Sequence, residues 1–419
     1  MKKALIIFTN YYPFYRGEEY LETELPILKS YFERIIVIPT MVNKNMELTR
    51  QVPAGVEVYR IENDCSVIGK IKMISRYSHK IIRSSRHRKE MRKECGLSIK
   101  RFLYYIYYNS RVLETTVKVR NFDFHDLKEK FDVTIYSYWM HAVASVALNI
   151  RKTVFKEKPV RLICRGHRYD LYEDKNFFGY YPDRERILKH YTYVCPCSED
   201  GRKYISIKHP GYDSKLKVKR LGTVDKGIAG HGNKEPVLLI SCSSITRVKR
   251  LELIVDALQE VSVRGYRFKW VHFGDGPEGE HIKQLCRDKL NENYYEFKGH
   301  VANEVLLEIY KKSNPCLFIN TSSSEGVPVS IMEAMSFGIP AAATNVGGTA
   351  ELIVDKECGF ILKKDFKTSE LANIIISVIK MNSEDYDNLC KKARERWNMI
   401  SNAESVYNDF GGFLAGDRS

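Results

Sequence analysis

Glu325 and Glu333 stand eight positions apart in the segment Ser322–Pro340, one just before a predicted helix and one inside it. The apolar run Cys316–Ile319 upstream is expected to be a strand feeding that helix. Gly326 lets another group approach the backbone, and Pro328 has no N–H to lose in a first helical turn. The free amides and partial positive charge of such a helix end, near Gly326 and Val327, favour an anion such as phosphate. Two acceptor-only side chains beside it suit a polyhydroxylated ligand carrying a diphosphate. The alternative is an ordinary amphipathic helix whose acids are solvated. Against that, Ile331, Met332, Ala334, Met335 and Phe337 surround the second acid with apolar groups. They predict a largely buried helix, and a buried carboxylate needs a partner or a ligand.

Three other patterns compete for attention. Phe273–Gly279 satisfies G-x-G-x-x-G after a predicted strand, with Glu296 near the spacing of a ribose-binding acid. Pro277 removes a backbone N–H where a pyrophosphate would sit, and the motif lies inside a second domain, so a dinucleotide site is not expected. Asp385-Tyr386-Asp387 has the D-x-D spacing of metal-dependent transferases but falls in a helical pattern, where i and i+2 side chains diverge. No catalytic metal and no other cofactor are expected. Ser241–Arg250 joins a strand to a helix, and a lone lysine such as Lys249 in a basic chain would ordinarily be a surface charge.

The elements that must position these residues alternate along the chain. Strands are predicted at Ala4–Phe8, Arg34–Pro39, Val133–Tyr136 and Arg161–Cys164, with a strand end at Val194–Ser198. Helices are predicted at Glu18–Phe32 and Ala142–Ile150. The glycine-rich polar stretch Gly222–Asn233 predicts a linker. The alternation then restarts at strand Val237–Ser241 and continues through helix Arg250–Val263, strand Lys269–Phe273, helix Glu278–Leu290, strand Glu296–Lys298 and helix Val305–Lys311. Helical patterns recur around Leu389–Trp397 and Val406–Leu414. Such alternation argues for parallel sheets with crossover helices and ligand loops at strand C-terminal ends.

At 419 residues, 44% hydrophobic and 28% charged, the chain has the composition of a two-domain globular protein. Its ten cysteines show no C-x-x-C pair, and a reducing cytoplasm is expected. The opening Met1–Asn10 stops too early for a signal-peptide core and is expected to be a first buried strand. The net charge of +15 is concentrated between Lys70 and Arg120, opposed there only by Glu90, Glu94 and Glu114. Phe102–Tyr108 follows as an aromatic cluster. Basic groups beside tyrosines suit an anionic membrane surface, with Lys80–Arg101 docking and Tyr104–Tyr108 at the interface. A solvated helical insertion whose aromatics fill the core is the alternative. No nucleic-acid motif accompanies the charge.

The segment Ser322–Pro340 resembles the donor-site motif of retaining nucleotide-sugar glycosyltransferases of the GT-B fold, the large family four (glycosyl transferases group 1). The Gly274-Asp275-Gly276-Pro277 turn is similar to the loop after the second strand of their donor domains. Lys249 matches the lysine that grips the donor diphosphate, but Ser244 stands where the family has an arginine. Arg165–Asp170 resembles the R-x-H-G-x-D stretch, with Arg168 replacing the glycine. Pro13–Glu24 resembles the acceptor-side loop of capsule and exopolysaccharide transferases, opened by Gly17.

The resemblance implies an α/β chain of two Rossmann-like parallel-sheet domains facing across a cleft. The first would span 1–221 with a basic insertion at about 66–120, followed by a linker at 222–235. A donor domain at 236–395 and a helical segment at 396–419, packing back on the first domain, would complete it. The implied function is transfer, with retention, of a sugar from a UDP- or GDP-type nucleotide sugar to a glycan or lipid-linked acceptor in surface polysaccharide biosynthesis. Glu325, His167 and Lys249 would be catalytic. Glu333 would hold the ribose, Gly326, Val327, Ser243, Ser244 and Arg247 the diphosphate region, and backbone near His300 and Val301 the base. Gly17, Glu18, Arg165 and Asp170 would lie on the acceptor side. The implied partners are donor, acceptor and an anionic membrane, with no nucleic acid, and the implied place is the cytoplasm or the inner face of its membrane. A turnover-deficient binding protein or a sugar-nucleotide epimerase of the same fold are the alternatives.

Overall fold

The computed structural model describes residues 2–15, 17–229 and 236–417. Arg16 of the predicted acceptor loop and 230–235 of the predicted linker therefore lie outside the described residues. The chain divides into two units, Met1–Leu221 with Tyr407–Ser419, and Gly222–Val406.

The first unit holds a six-stranded sheet of β1 (Lys2–Thr9), β2 (Arg34–Pro39), β3 (Val56–Val58), β4 (Phe131–Ser137), β5 (Val160–Gly166) and β6 (Tyr193–Pro196). Its order is β3-β2-β1-β4-β5-β6, and every pairing is parallel. Ile6 lies between Ile36 and Ile135 in register. Alternate residues of β1 serve different cores: Ala4, Ile6 and Phe8 join one apolar cluster, Leu5 and Ile7 another. Both faces are thus buried, which is why the strand reads as an unbroken apolar run. Each such side chain contributes about 1.5–3 kcal/mol of transfer free energy. Phe410, Phe413 and Leu414 of the last helix, Ala403–Ala415, pack into the Leu5 and Ile7 cluster.

The second unit repeats the plan with β7 (Val237–Cys242), β8 (Phe268–Phe273), β9 (Tyr295–Phe297), β10 (Leu317–Asn320), β11 (Ala341–Thr344) and β12 (Gly359–Leu362) in the order β12-β11-β10-β7-β8-β9. Gly222–Ala229, expected as linker, is instead ordered against this unit. The Thr223 amide donates to the Ser401 carbonyl, its hydroxyl accepts from the Trp397 indole, and the Ala229 amide donates to Phe337. In each sheet the order reverses between two central strands, β1 and β4, then β7 and β10. Such a reversal leaves a crevice at the strand C-terminal ends.

Predicted strands and helices recur with shifted ends. Sequence patterning missed β3, β11 and β12, the short helices Arg168–Leu171 and Thr349–Leu352, and the helices His125–Lys130, Arg184–His190, Glu199–Lys208 and Thr368–Lys380. The Ala-Ala-Ala-Thr run of β11 has little strand propensity of its own, since only Thr344 is β-branched. It is extended because it pairs in register with β10 and β12, and all four residues are buried. The basic region forms three helices, Val67–Arg83, Ser85–Cys95 and Ile99–Val119, each opened by a serine. The hydroxyls of Ser66, Ser84 and Ser98 accept from the amides of Gly69, His87 and Arg101, satisfying otherwise orphaned donors.

The expected membrane role of Tyr104–Tyr108 is corrected by this packing. Tyr105 and Tyr108 are buried, one bonded to His87 and Glu90 and the other to Ser145, while Tyr104 stacks on Phe178. Residues 105, 108, 112, 116 and 119 are buried along one face of the helix, so these aromatics fill a core.

Candidate functional site

At the reversal in the second unit, the loop after β7 brings up Lys249 and the loop after β10 brings up Glu325. Lys249 Nζ lies 2.7 Å from Glu325 Oε1. Asn320 Nδ2, at the end of β10, donates to the same oxygen at 3.3 Å. Two of the three sequence-predicted catalytic residues are thus brought together from positions 76 apart. The Thr321 hydroxyl donates to the Lys249 carbonyl, and the Ser323 amide donates to Val248, so the two loops are tied backbone to backbone.

Glu325 and Gly326 are shaped from a third side. Gly347 has φ +55°, and a Cβ there would lie 2.1 Å from the Glu325 carbonyl oxygen. Only glycine lets that loop pass, and the Gly348 amide then donates to Gly326 at 2.7 Å. Pro328 precedes the helix Val329–Ser336, and its carbonyl accepts from the Ile331 and Met332 amides, so the first-turn donors outside that pairing are those of Val329 and Ser330. Val327 packs against the apolar core beside them. Glu333 is buried inside this helix, and Asn303 Nδ2 donates to its carboxylate at 2.6 Å. Burial holds the Glu333 carboxyl above the usual range, opposed by the Asn303 bond. A group so placed takes up hydroxyl donors readily, because they restore solvation lost on folding.

The G-x-G-x-x-G pattern has a different physical cause from the one its spacing suggests. A Cβ at Gly274 would lie 1.9 Å from the Ser243 carbonyl oxygen, and one at Gly276 would lie 2.4 Å from that of Ile245. The Ile245 amide donates to Asp275 and the Ser243 amide to Phe273. These glycines serve close packing between the loops after β7 and β8. Ser243 is partly exposed and Ser244 exposed in the same loop. Both nearby arginines have partners of their own. Arg247 is 90% exposed and turned to Glu278, while Arg250 donates to the carbonyls of Thr321, Ser322 and Lys364. His300 is exposed and Val301 half-buried just after β9. Asp385 and Asp387 are exposed on the helix Ser383–Ile400, with the Asp385 amide donating to the Asn382 side chain.

At the first unit's reversal the polar groups are turned inward. Glu18 is buried, and its carboxylate accepts from the amides of Asn10, Tyr11 and Tyr12 and from the Trp139 indole. It organises the loop after β1. Gly17 lies beside it with φ +88°. Two predicted acceptor-side residues have structural roles instead. Arg165 is fully buried, paired with the equally buried Glu24 and stacked on Phe410, out of reach of any ligand. Asp170 is fully buried and accepts from the amides of His167 and Met140, tying the loop after β5 to the loop after β4. Burial pushes its carboxyl up to about 7, against those amides and the nearby Arg184. His167 lies between the rings of Tyr138 and Trp139, its ring nitrogens without a hydrogen bond among the described residues. Burial holds its imidazole well below the usual range.

Sequence reasoning missed Asn303, Asn320 and the Val346-Gly347-Gly348 loop in the second unit, and Arg111, Trp139 and His141 in the first. The position of Trp139 and His141, just past the C-terminal end of a predicted central strand, was the available signal.

Residues 226–396 match the family described as Glycosyl transferases group 1. The chain is similar to a glycosyltransferase of Salmonella typhimurium named for colanic acid biosynthesis, 23% identical over 57% of this chain and 60% of that protein. It is also similar to the N-acetyl-alpha-D-glucosaminyl L-malate synthase of Bacillus anthracis, 29% identical over 47% of this chain and 51% of that protein. The matches thus span about half to three-fifths of the length of these curated relatives. Among solved structures, Anabaena HepE in complex with UDP superposes with a TM-score of 0.64 and 16% identity, covering 99% of this chain and 100% of that one. The architecture, two parallel six-stranded sheets of Rossmann order, is that of GT-B glycosyltransferases.

Proposed function

We propose that the protein is a glycosyltransferase that moves a sugar, with retention, from a nucleotide diphosphate sugar to a glycan or lipid-linked acceptor in surface polysaccharide synthesis. One observation carries this reading: Lys249 and Glu325 form an ion pair at 2.7 Å, at the reversal of a parallel sheet and beside a helix N-terminus. A donor diphosphate would take the lysine and the amides near Gly326 and Val327, and its sugar hydroxyls would take Glu325. The pair holds both side chains in place before the donor arrives, so little rearrangement is needed on binding.

As the sugar–phosphate bond breaks, negative charge grows on the leaving phosphate and positive charge on the sugar. Lys249 and the helix amides oppose the first, and Glu325 opposes the second. Glu333, primed by burial, would take the ribose hydroxyls, with Ser243 and Ser244 near the phosphates, Arg247 on the rim, and backbone at His300 and Val301 near the base. His167 would meet the reacting sugar. The phosphate's departure and the acceptor's attack would share one face, as retention requires. The UDP complex of HepE favours a uridine nucleotide. We further propose that no metal ion is required.

The test is a thermal-shift panel of UDP- and GDP-sugars followed by transfer assays, each with EDTA. A ligand that binds only the folded state raises Tm. No shift with any nucleotide sugar overturns the donor reading, and activity lost to EDTA and restored by magnesium or manganese overturns metal independence.

No helix among the described residues is long and apolar enough to cross a membrane. Peripheral docking is proposed through the exposed basic residues of Ser85–Cys95, such as Arg88, Lys89 and Arg92, with the exposed Leu97, Ile99 and Leu103 as apolar anchors. Each basic group near an anionic surface contributes about 1 kcal/mol. Co-sedimentation with liposomes of rising anionic lipid content should show salt-sensitive binding, and a protein that stays in the supernatant throughout overturns docking.

A further inference from the structure

The loops leaving β1 and β4 open a cavity of about 440 Å³ in the first unit. Its walls are unusually aromatic, with Tyr11, Tyr107, Trp139, Tyr169 and Tyr181 all contributing. The helix Ile99–Val119 presents Tyr104, Tyr107, Tyr108 and Arg111 to it, at the i, i+3, i+4, i+7 spacing of one helical face. Arg111 is half-buried and makes no ion pair or hydrogen bond among the described residues. The acid nearest in chemistry, Glu18, is occupied by three backbone amides and an indole N–H. The cavity's histidine, His141, is held neutral by burial and by the charges of Arg111 and Arg184, its pKa pushed down to about 3. Its Nδ1 is buried and has no hydrogen-bond partner among the described residues.

A half-buried guanidinium without a carboxylate is poorly solvated, and a planar anion satisfies it through two parallel N–H···O bonds. Flat aromatic walls fit the C–H faces of a sugar ring. We propose that this cavity is the acceptor subsite and that it selects a sugar ring bearing an anionic substituent, carboxylate or phosphate, with Arg111 as the specificity-determining residue. The inference rests on the glycosyltransferase reading and names the class of acceptor, an acidic glycan or a sugar phosphate. The aromatic rings supply ring contact that is indifferent to charge, and Arg111 supplies the discrimination. Tyr169, 69% exposed at the rim, contributes area without touching the charge.

Saturation-transfer NMR on the full chain, without donor, tests this with methyl glucuronide, glucose 1-phosphate and methyl glucoside. At least one anionic probe should bind about tenfold or more tighter than the neutral glucoside, as expected for a charge-assisted pair. Which anion binds better separates the acidic-glycan and sugar-phosphate sources. Arg111→Gln should abolish the preference, Arg111→Lys should keep part of it, and Tyr169→Ala should weaken all three probes alike. UDP-sugar thermal shifts should be unchanged in these variants, which also reports that they fold. Lys249→Ala should do the reverse, losing the UDP-sugar shift while keeping saccharide binding. Equal binding of neutral and anionic probes, or no probe bound by a chain that still binds UDP-sugar, overturns the proposal and leaves the donor reading standing. Loss of UDP-sugar binding in the wild type overturns the donor reading independently.

Discussion

The two sheets share one strand order, yet the loops at their reversals carry opposite electrostatics. After β7 and β10 a lysine and a carboxylate meet as exchangeable charges, and a second carboxylate waits beside one amide. After β1, β4 and β5 the carboxylates of Glu18 and Asp170 are consumed by backbone amides, the histidines are held neutral, and aromatic rings form the walls. The difference fits the two proposed tasks. A site that binds and releases a diphosphate must trade one ionic partner for another. A site that presents a hydroxyl group needs fixed shape, so its charges are locked into loop geometry. One scaffold supports both because the strands set where the loops begin and leave their chemistry free.

The sharpest break of that contrast is in the exchangeable pair. Lys249→Ala should lower kcat/KM by about 100- to 1000-fold, the scale of losing one preorganised charge at a developing anion. Glu325→Ala should act mainly on kcat, and the double variant should cost far less than the product of the singles, since the two act as a unit. Additive losses would show that the pair is only a structural contact.

The locked side predicts a stability effect. Arg165→Ala leaves the Glu24 carboxylate buried without its partner, at a cost of about 3–5 kcal/mol. Urea unfolding should report it. A stable Arg165→Ala protein that fails only in acceptor turnover would return Arg165 to the acceptor side.

Between these extremes lies Glu333. Glu333→Ala should weaken nucleotide-sugar affinity about tenfold with kcat largely kept, because it removes a contact made equally before and during reaction. A fall in kcat with unchanged affinity would move Glu333 from ribose binding to the chemical step.

The positions of Glu325, Glu333 and Lys249 were legible because motif and local element coincide: Glu325 and Lys249 lie where an apolar strand run gives way to a helix, and Glu333 lies inside the helix that follows Glu325. The buried face of the helix Ile99–Val119 was legible in principle, since residues 105, 108, 112, 116 and 119 follow a helical period, and aromatics that fill a core were one of the readings the sequence left open. Arg165 was not legible at all. Its partner Glu24 is 141 residues away in sequence, and only the folded sheet brings them together. β11 was hidden for a related reason, since four small residues become a strand only through neighbours on both sides. Local pattern reports propensity and loop chemistry; buried pairings across the sheet belong to tertiary structure.

The smallest predicted effect concerns Ser244, where the family carries an arginine. Ser244 is exposed, Arg247 points to Glu278, and Arg250 is spent on three carbonyls, so Lys249 faces the proposed diphosphate without that second cation. Ser244→Arg should therefore tighten UDP-sugar binding, about threefold, since an exposed charge is screened and loses rotamer freedom on pairing. The gain should shrink as salt rises and vanish in the Lys249→Ala background if the lysine is needed to seat the phosphates. Isothermal titration at two ionic strengths reads both. A gain that persists at high salt would mean that the arginine makes a desolvated, bidentate bond, and the loop after β7 would then be part of the closed diphosphate site rather than its rim.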